Sequence, residues 1–182
     1  MSETTDLLTE LAAARSALVT TVQGLTDEQA AATPTASKLC LAGIVKHVAS
    51  TEASWLRFIL DGPTAMSFDL PEGVTWGDIM AGTAREYPQW MIDHQNEFRL
   101  LPGETLAGVL AHYEEVATES DKIVADLADL DKTYSLPPAP WNKEGATRSV
   151  RQVLIHVIAE TTQHAGHADI IRESIDGQTS TR

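Results

Sequence analysis

Four stretches of this chain return an apolar residue every three or four positions, and none sustains the two-residue alternation of a strand, so its fold must be built from helices. The first runs from about Thr5 to Gln23, with Leu7, Leu11, Ala14, Leu18 and Val22 on one stripe and Gly24 as its stop. Thr26, followed by Asp-Glu-Gln, predicts the cap and first turn of a short helix ending before Pro34. A second long helix is expected after Ser37, an apt N-cap, reaching Leu60 before Asp61-Gly62-Pro63 breaks it. Cys40, Ile44, His47, Val48, Thr51, Trp55, Phe58 and Ile59 share one face of it.

From Asp61 to Gly103 four prolines and several glycines disrupt the pattern, although Ala84 to Phe98 predicts short helical turns. The third long helix is expected from Glu104 to about Leu130, burying Leu106, Val109, Leu110, Tyr113, Val116, Ile123, Val124 and Leu127. Asp131 to Thr147 carries Pro137, Pro138 and Pro140 and cannot be helical through them. The last helix starts near Thr147 or Arg148 and ends at Asp176-Gly177, which leaves residues 178–182 as a flexible tail. The expected architecture is an all-α four-helix bundle with a crossover connection, in one domain spanning residues 1–177.

Composition narrows the partners. A formal net charge of −13, spread without an acidic block, opposes nucleic acid and anionic membrane surfaces. Charged residues interrupt every apolar run well short of the ~20 residues a bilayer span requires. Cys40 is the single cysteine, so no intrachain disulfide can form, and the N-terminus lacks a basic start with an apolar signal core. A reducing cytoplasm is the expected location.

Polar residues on apolar faces carry the chemistry. On the last helix Val150, Val153, Val157, Ala168 and Ile171 define the inward face, and Glu160 and His164 fall within it. Four residues apart, their side chains sit on successive turns and can converge on one point. Burying a carboxylate and an imidazole without partners costs several kcal/mol, roughly, so something must satisfy both. His47 holds a comparable position on the second helix, and a cation shared by the three would do so. A His₂Glu set leaves a coordination position open, as in a catalytic zinc site; zinc leads, while nickel, iron and cobalt accept the same ligands. Hydrogen-bonded core histidines, or a Glu–His helix pair, give the same periodicity, as does a competing set using His164 and His167. His156 and His167 flank the same face. His94 and His112 read as solvent-exposed, Cys40 as a small buried thiol, and Trp55 and Trp141 as packing residues. Arg148 and Arg151 at the start of the last helix suit either an anionic substrate or ordinary salt bridges.

The stretches LAGIVKHVASTEASWLRFIL (41–60) and SVRQVLIHVIAETTQHAGHADIIRESIDG (149–177) resemble the DinB-like superfamily, within it the group that includes mycothiol-dependent maleylpyruvate isomerase. The E-x-x-x-H-A-G-H core of the second stretch is the more specific signal. The resemblance implies a four-helix bundle holding one metal through three inward side chains, at positions occupied here by His47, Glu160 and His164. It makes His167 a neighbour of the ligands rather than a ligand. It further implies a low-molecular-weight thiol cofactor such as mycothiol. The isomerase has a further C-terminal domain that this chain lacks, so its substrate does not carry over.

The leading expectation is a metal-dependent thiol S-transferase acting on a small electrophile, with His156, His167 and Arg151 as candidates to orient or bind ligands around the metal. A metal-dependent hydrolase and a non-enzymatic, stress-related metal-binding bundle are the alternatives. Such bundles can form homodimers, but no specific interface is legible in the sequence.

Overall fold

Each long helix begins at a side chain that accepts from one of its free N–H groups. In the computed structural model, which describes residues 2–180, helix α1 (Glu3–Thr20) is capped by Ser2 and the short α2 (Asp27–Ala31) by a reciprocal Thr26–Gln29 box. Helix α3 (Leu41–Asp61) is capped by Cys40, whose sulfur accepts from the Gly43 N–H. Ser37 does not cap it: its hydroxyl accepts from the N–H of Leu39, two residues on, closing a local turn that delays the helix by a few residues. The crossover then forms a 3₁₀ turn (Gly62–Ala65), α4 (Trp76–Ala81) and α5 (Gln89–Glu97). Helix α6 (Leu106–Ala125) starts at Thr105 and ends a turn earlier than its apolar pattern suggests. Strands β1 (Thr133–Ser135) and β2 (Thr147–Ser149) pair antiparallel around the proline loop, the one sheet among the described residues. Ser149 closes the ladder and caps α7 (Val150–Asp176), so the last helix starts just after the expected Thr147 or Arg148.

The four long helices pack in a ring: α1 on α7, α7 on α3, α3 on α6, and α6 on α1. Side-chain bonds give their directions. Arg151 meets Glu3 and Arg172 meets the carbonyls of Thr21 and Gln23, so α1 and α7 run parallel. Arg15 meets both Glu52 and Asp121, while Lys46 meets Glu104, so α3 and α6 run together against them. Two successive helices that run in the same direction need a connection spanning the bundle's length, which is why residues 62–105 form a long strap.

The core has two apolar halves. One gathers Leu18, Val22, Ile44, Val48, Val109, Tyr113 and Ala168; the other gathers Leu11, Leu56, Phe58, Val124, Val153 and Val157. Between them lie charged side chains that an apolar stripe does not reveal: Arg15 is buried and Glu52 is wholly so. The carboxyl end folds back, with Gln178 accepting from Arg172 and Ser180 bonded to Asp169; residues 181 and 182 of the expected tail lie outside the described residues. Among the described residues, no helix is long and apolar enough to cross a membrane.

Candidate metal centre

The centre lies where α3 and α7 run antiparallel, on turns that the helical period faces toward each other. His47 Nε2 and His164 Nε2 both point at one oxygen of Glu160, at 3.5 and 3.3 Å. One potential ligand atom from each of the three lies within 4.8 Å of the others. The two imidazole rings stand nearly perpendicular with centroids 5.0 Å apart. His47 is buried and the other two are partly so, with the Glu160 side chain retaining 26% of its exposure, so the cluster is not sealed from solvent.

A second carboxylate arrives from the strap. Glu97, the last residue of α5, accepts from His47 Nδ1 at 3.1 Å, from His94 Nδ1 at 3.0 Å and from the Ser50 hydroxyl at 2.5 Å. With Nδ1 holding the proton that Glu97 accepts, the lone pair of His47 is on Nε2, aimed at Glu160. Burial pushes the Glu97 carboxyl up, but the bonds from His47, His94 and Ser50 outweigh it and bring it down to about 2. Hence Glu97 is ionised throughout the neutral range. Phe98 follows and stacks on the His47 ring at 4.2 Å between centroids.

The strap comes this close because α3 has no side chain in the way. A Cβ on Gly43, one turn before His47, would sit 2.2 Å from the backbone carbonyl of Phe98. The Cys40 thiol also donates to that carbonyl at 3.7 Å, so the buried cysteine helps hold the strap in place.

The remaining sequence candidates divide by position. His156 lies one turn before Glu160 and meets Trp55 edge-on at 5.0 Å; burial first, then the positive charge of Arg148, lowers its pKa. His167 is one turn beyond the cluster, 5.3 Å from His164 between ring centroids, and the Nδ1 atoms of both are buried without a protein partner. Burial, then the neighbouring His47, lowers the His164 pKa and favours the neutral ring that a cation needs. Arg151 stands apart: nine residues before Glu160, roughly 13 Å along the helix, it is engaged by Glu3 and Asp131. Arg148 instead lays its guanidinium 4.9 Å over the Trp55 ring. His112 is exposed beside Glu115, whereas His94, also half exposed, reaches His47 through Glu97.

Sequence periodicity missed Glu97, Ser50 and Gly43. A local signal for the first existed in the His94-x-x-Glu97 spacing, which places both side chains on one face of any helix formed there.

No curated protein and no solved structure is significantly similar to the chain. A family profile, described as mycothiol S-transferase, matches it over residues 6–177 and so takes in all four long helices and the strap between them. The chain therefore belongs to the mycothiol S-transferase family, within the DinB-like superfamily.

Proposed function

We propose that the protein transfers a low-molecular-weight thiol, mycothiol by family, to a small electrophile, using a divalent cation held by His47, Glu160 and His164. The observation that carries this reading is the aim of both Nε2 atoms at one Glu160 oxygen. Ligand atoms bound at about 2.0–2.1 Å to a tetrahedral ion stand roughly 3.4 Å apart. The 3.3 and 3.5 Å separations match that spacing and are long for hydrogen bonds.

Held by His47, Glu160 and His164, a divalent cation would lower the pKa of a thiol at the site and so favour the nucleophilic thiolate. The residues do the rest. His47 offers Nε2 because Glu97 holds its Nδ1 proton, and His164 offers a neutral ring because it is buried. Glu160 supplies the single ligating charge, leaving a divalent ion at net +1. Glu97, one imidazole further out, would offset that remainder and leave the site close to neutral. Zinc fits the donor set best, with nickel, iron and cobalt compatible.

Loading purified protein with each metal and mixing it with mycothiol and an electrophile panel tests the reading. Bound metal and thiol-dependent turnover are expected, both lost in His47→Ala and Glu160→Gln. Turnover that persists in those variants or in chelator overturns it, and ester hydrolysis without thiol would replace it with water activation.

A further inference from the structure

Outside its two cores the chain keeps a separate set of aromatic rings. Phe68, Trp90, Trp76 and Trp141 form a closed cycle, with successive centroids 5.3, 6.2, 5.3 and 5.1 Å apart. None of the four belongs to either apolar core, and Trp141 is 59% exposed. Trp90 is pinned by its indole N–H, which donates to the Asp69 carbonyl at 3.1 Å. Large rings held together at the surface, away from the core, leave apolar area in water that a bound molecule would cover.

Phe68 and Trp90 form one wall of a cleft of about 340 Å³, with Met66 beside them. Its opposite wall is α3, through Ser50, Thr51 and Ser54. These residues follow His47 by three, four and seven positions and therefore share its face. The cleft also reaches His94 and Glu97, strap residues in contact with His47.

We infer that this cleft seats the second substrate of the transfer, a planar, conjugated, electron-poor electrophile. The inference rests on the function proposed above for the adjoining cluster. An indole face is electron-rich and attracts an electron-poor ring. Electrophiles open to attack by a thiolate are often made so by conjugated withdrawing groups, which also make them planar. A polar thiol cofactor gains little from such a wall. The volume lies at the lower end of the range for small-molecule sites, enough for a substituted ring. With an aryl halide the sulfur lone pair forms the C–S bond and the carbon–halogen pair departs as halide, so neither oxidant nor reductant is required.

The test uses metal-free protein and 2,4-dinitrotoluene, a dinitroarene with no leaving group, followed by quenching of tryptophan fluorescence. Saturable binding is expected, weakened about tenfold in Trp90→Leu, which removes a ring of the wall. Ser54→Phe fills the cleft while leaving the wall intact, and should weaken binding at least as much with an unchanged circular dichroism spectrum. In thiol turnover with 1-chloro-2,4-dinitrobenzene, KM for the arene should rise in both variants while KM for the thiol holds. Unsaturable quenching, affinity unchanged from wild type in both variants, or a rise confined to the thiol KM overturns the inference. Because the binding arm contains no metal, failure of the metal site alone leaves its result unaffected.

Discussion

Glu97 Oε2 lies 3.1 Å from His47 Nδ1, so a residue of the strap decides which nitrogen of a bundle residue carries the proton. The bond spans fifty positions of sequence and closes a carboxylate–histidine relay onto the Nε2 that faces Glu160. Partners of this kind typically change metal affinity by about 10–100-fold when removed. Glu97→Ala should therefore lower zinc affinity by about that factor in a competition titration with a chromophoric chelator. Glu97→Gln keeps an acceptor for the Nδ1–H but loses the charge, and should fall between the two. Equal affinity in wild type and Glu97→Ala would remove the relay from the account.

The same carboxylate sets an acid limb of stability. Its folded pKa of about 2 lies below the ordinary 4.5, so between these values the unfolded chain binds more protons than the folded one. The stability it contributes is complete above about pH 4.5 and is lost as pH falls through about 2. For metal-free protein, the urea-unfolding gap between wild type and Glu97→Gln should fall by roughly half between about pH 5 and about pH 3. A gap that stays constant to pH 3 would show that the carboxylate is not held by His47, His94 and Ser50.

Gly43 acts on the centre without touching it. A methyl group there meets the Phe98 and Arg99 backbone at 2.2–2.7 Å, and backbone cannot swing away as a long side chain can. Gly43→Ala must push the strap outward, taking Phe98 off the His47 ring and Glu97 off its Nδ1. Overpacking of this kind costs about 1–3 kcal/mol, although alanine is the better helix former at an unobstructed site. The variant should both unfold at lower urea and bind zinc more weakly. Weaker folding with unaltered zinc affinity would separate the strap from the metal centre.

How much of this was legible beforehand follows from where periodicity operates. His47, Glu160 and His164 stand on long regular helices, where position along the chain fixes direction, so their shared face could be read from spacing alone. Glu97 stands at the end of a nine-residue helix inside a proline-rich strap, where spacing fixes direction for two turns and nothing fixes the strap's path. That path depends on contacts such as Gly43 against Phe98, which join residues more than fifty positions apart. Helix α3 starts later than Ser37 suggests because that hydroxyl bonds two residues ahead rather than three. Arg151, a candidate for substrate or ligand contact on its place in the chain, is engaged by Glu3 and Asp131 at the start of the helix, away from the cluster.

Arg15 and Glu52 show the converse: both were in plain view, yet a search for apolar stripes passes over charges. Arg15 falls between Leu11 and Leu18, and Glu52 between Val48 and Leu56, so the two halves of the core are separated by a guanidinium facing a carboxylate. Glu52 accepts from Arg15 at 2.5 and 3.1 Å with no exposure of its side chain, while the second partner, Asp121, keeps 52% of its own. Removing one member strands the other in the interior, so Glu52→Ala should cost about 3–5 kcal/mol by chemical denaturation. Asp121→Asn leaves Arg15 its buried partner and should cost no more than about 1 kcal/mol. Replacing both buried charges, as in Arg15→Met with Glu52→Leu, removes the desolvation cost along with the attraction and should recover most of the stability lost by Glu52→Ala. If the double variant is stable but binds zinc poorly, the pair's service is to hold α3 in register against α1, and with it the turn that carries His47. If it is as unstable as Glu52→Ala alone, the attraction between the charges exceeds their desolvation cost, and the layer is a source of stability in its own right.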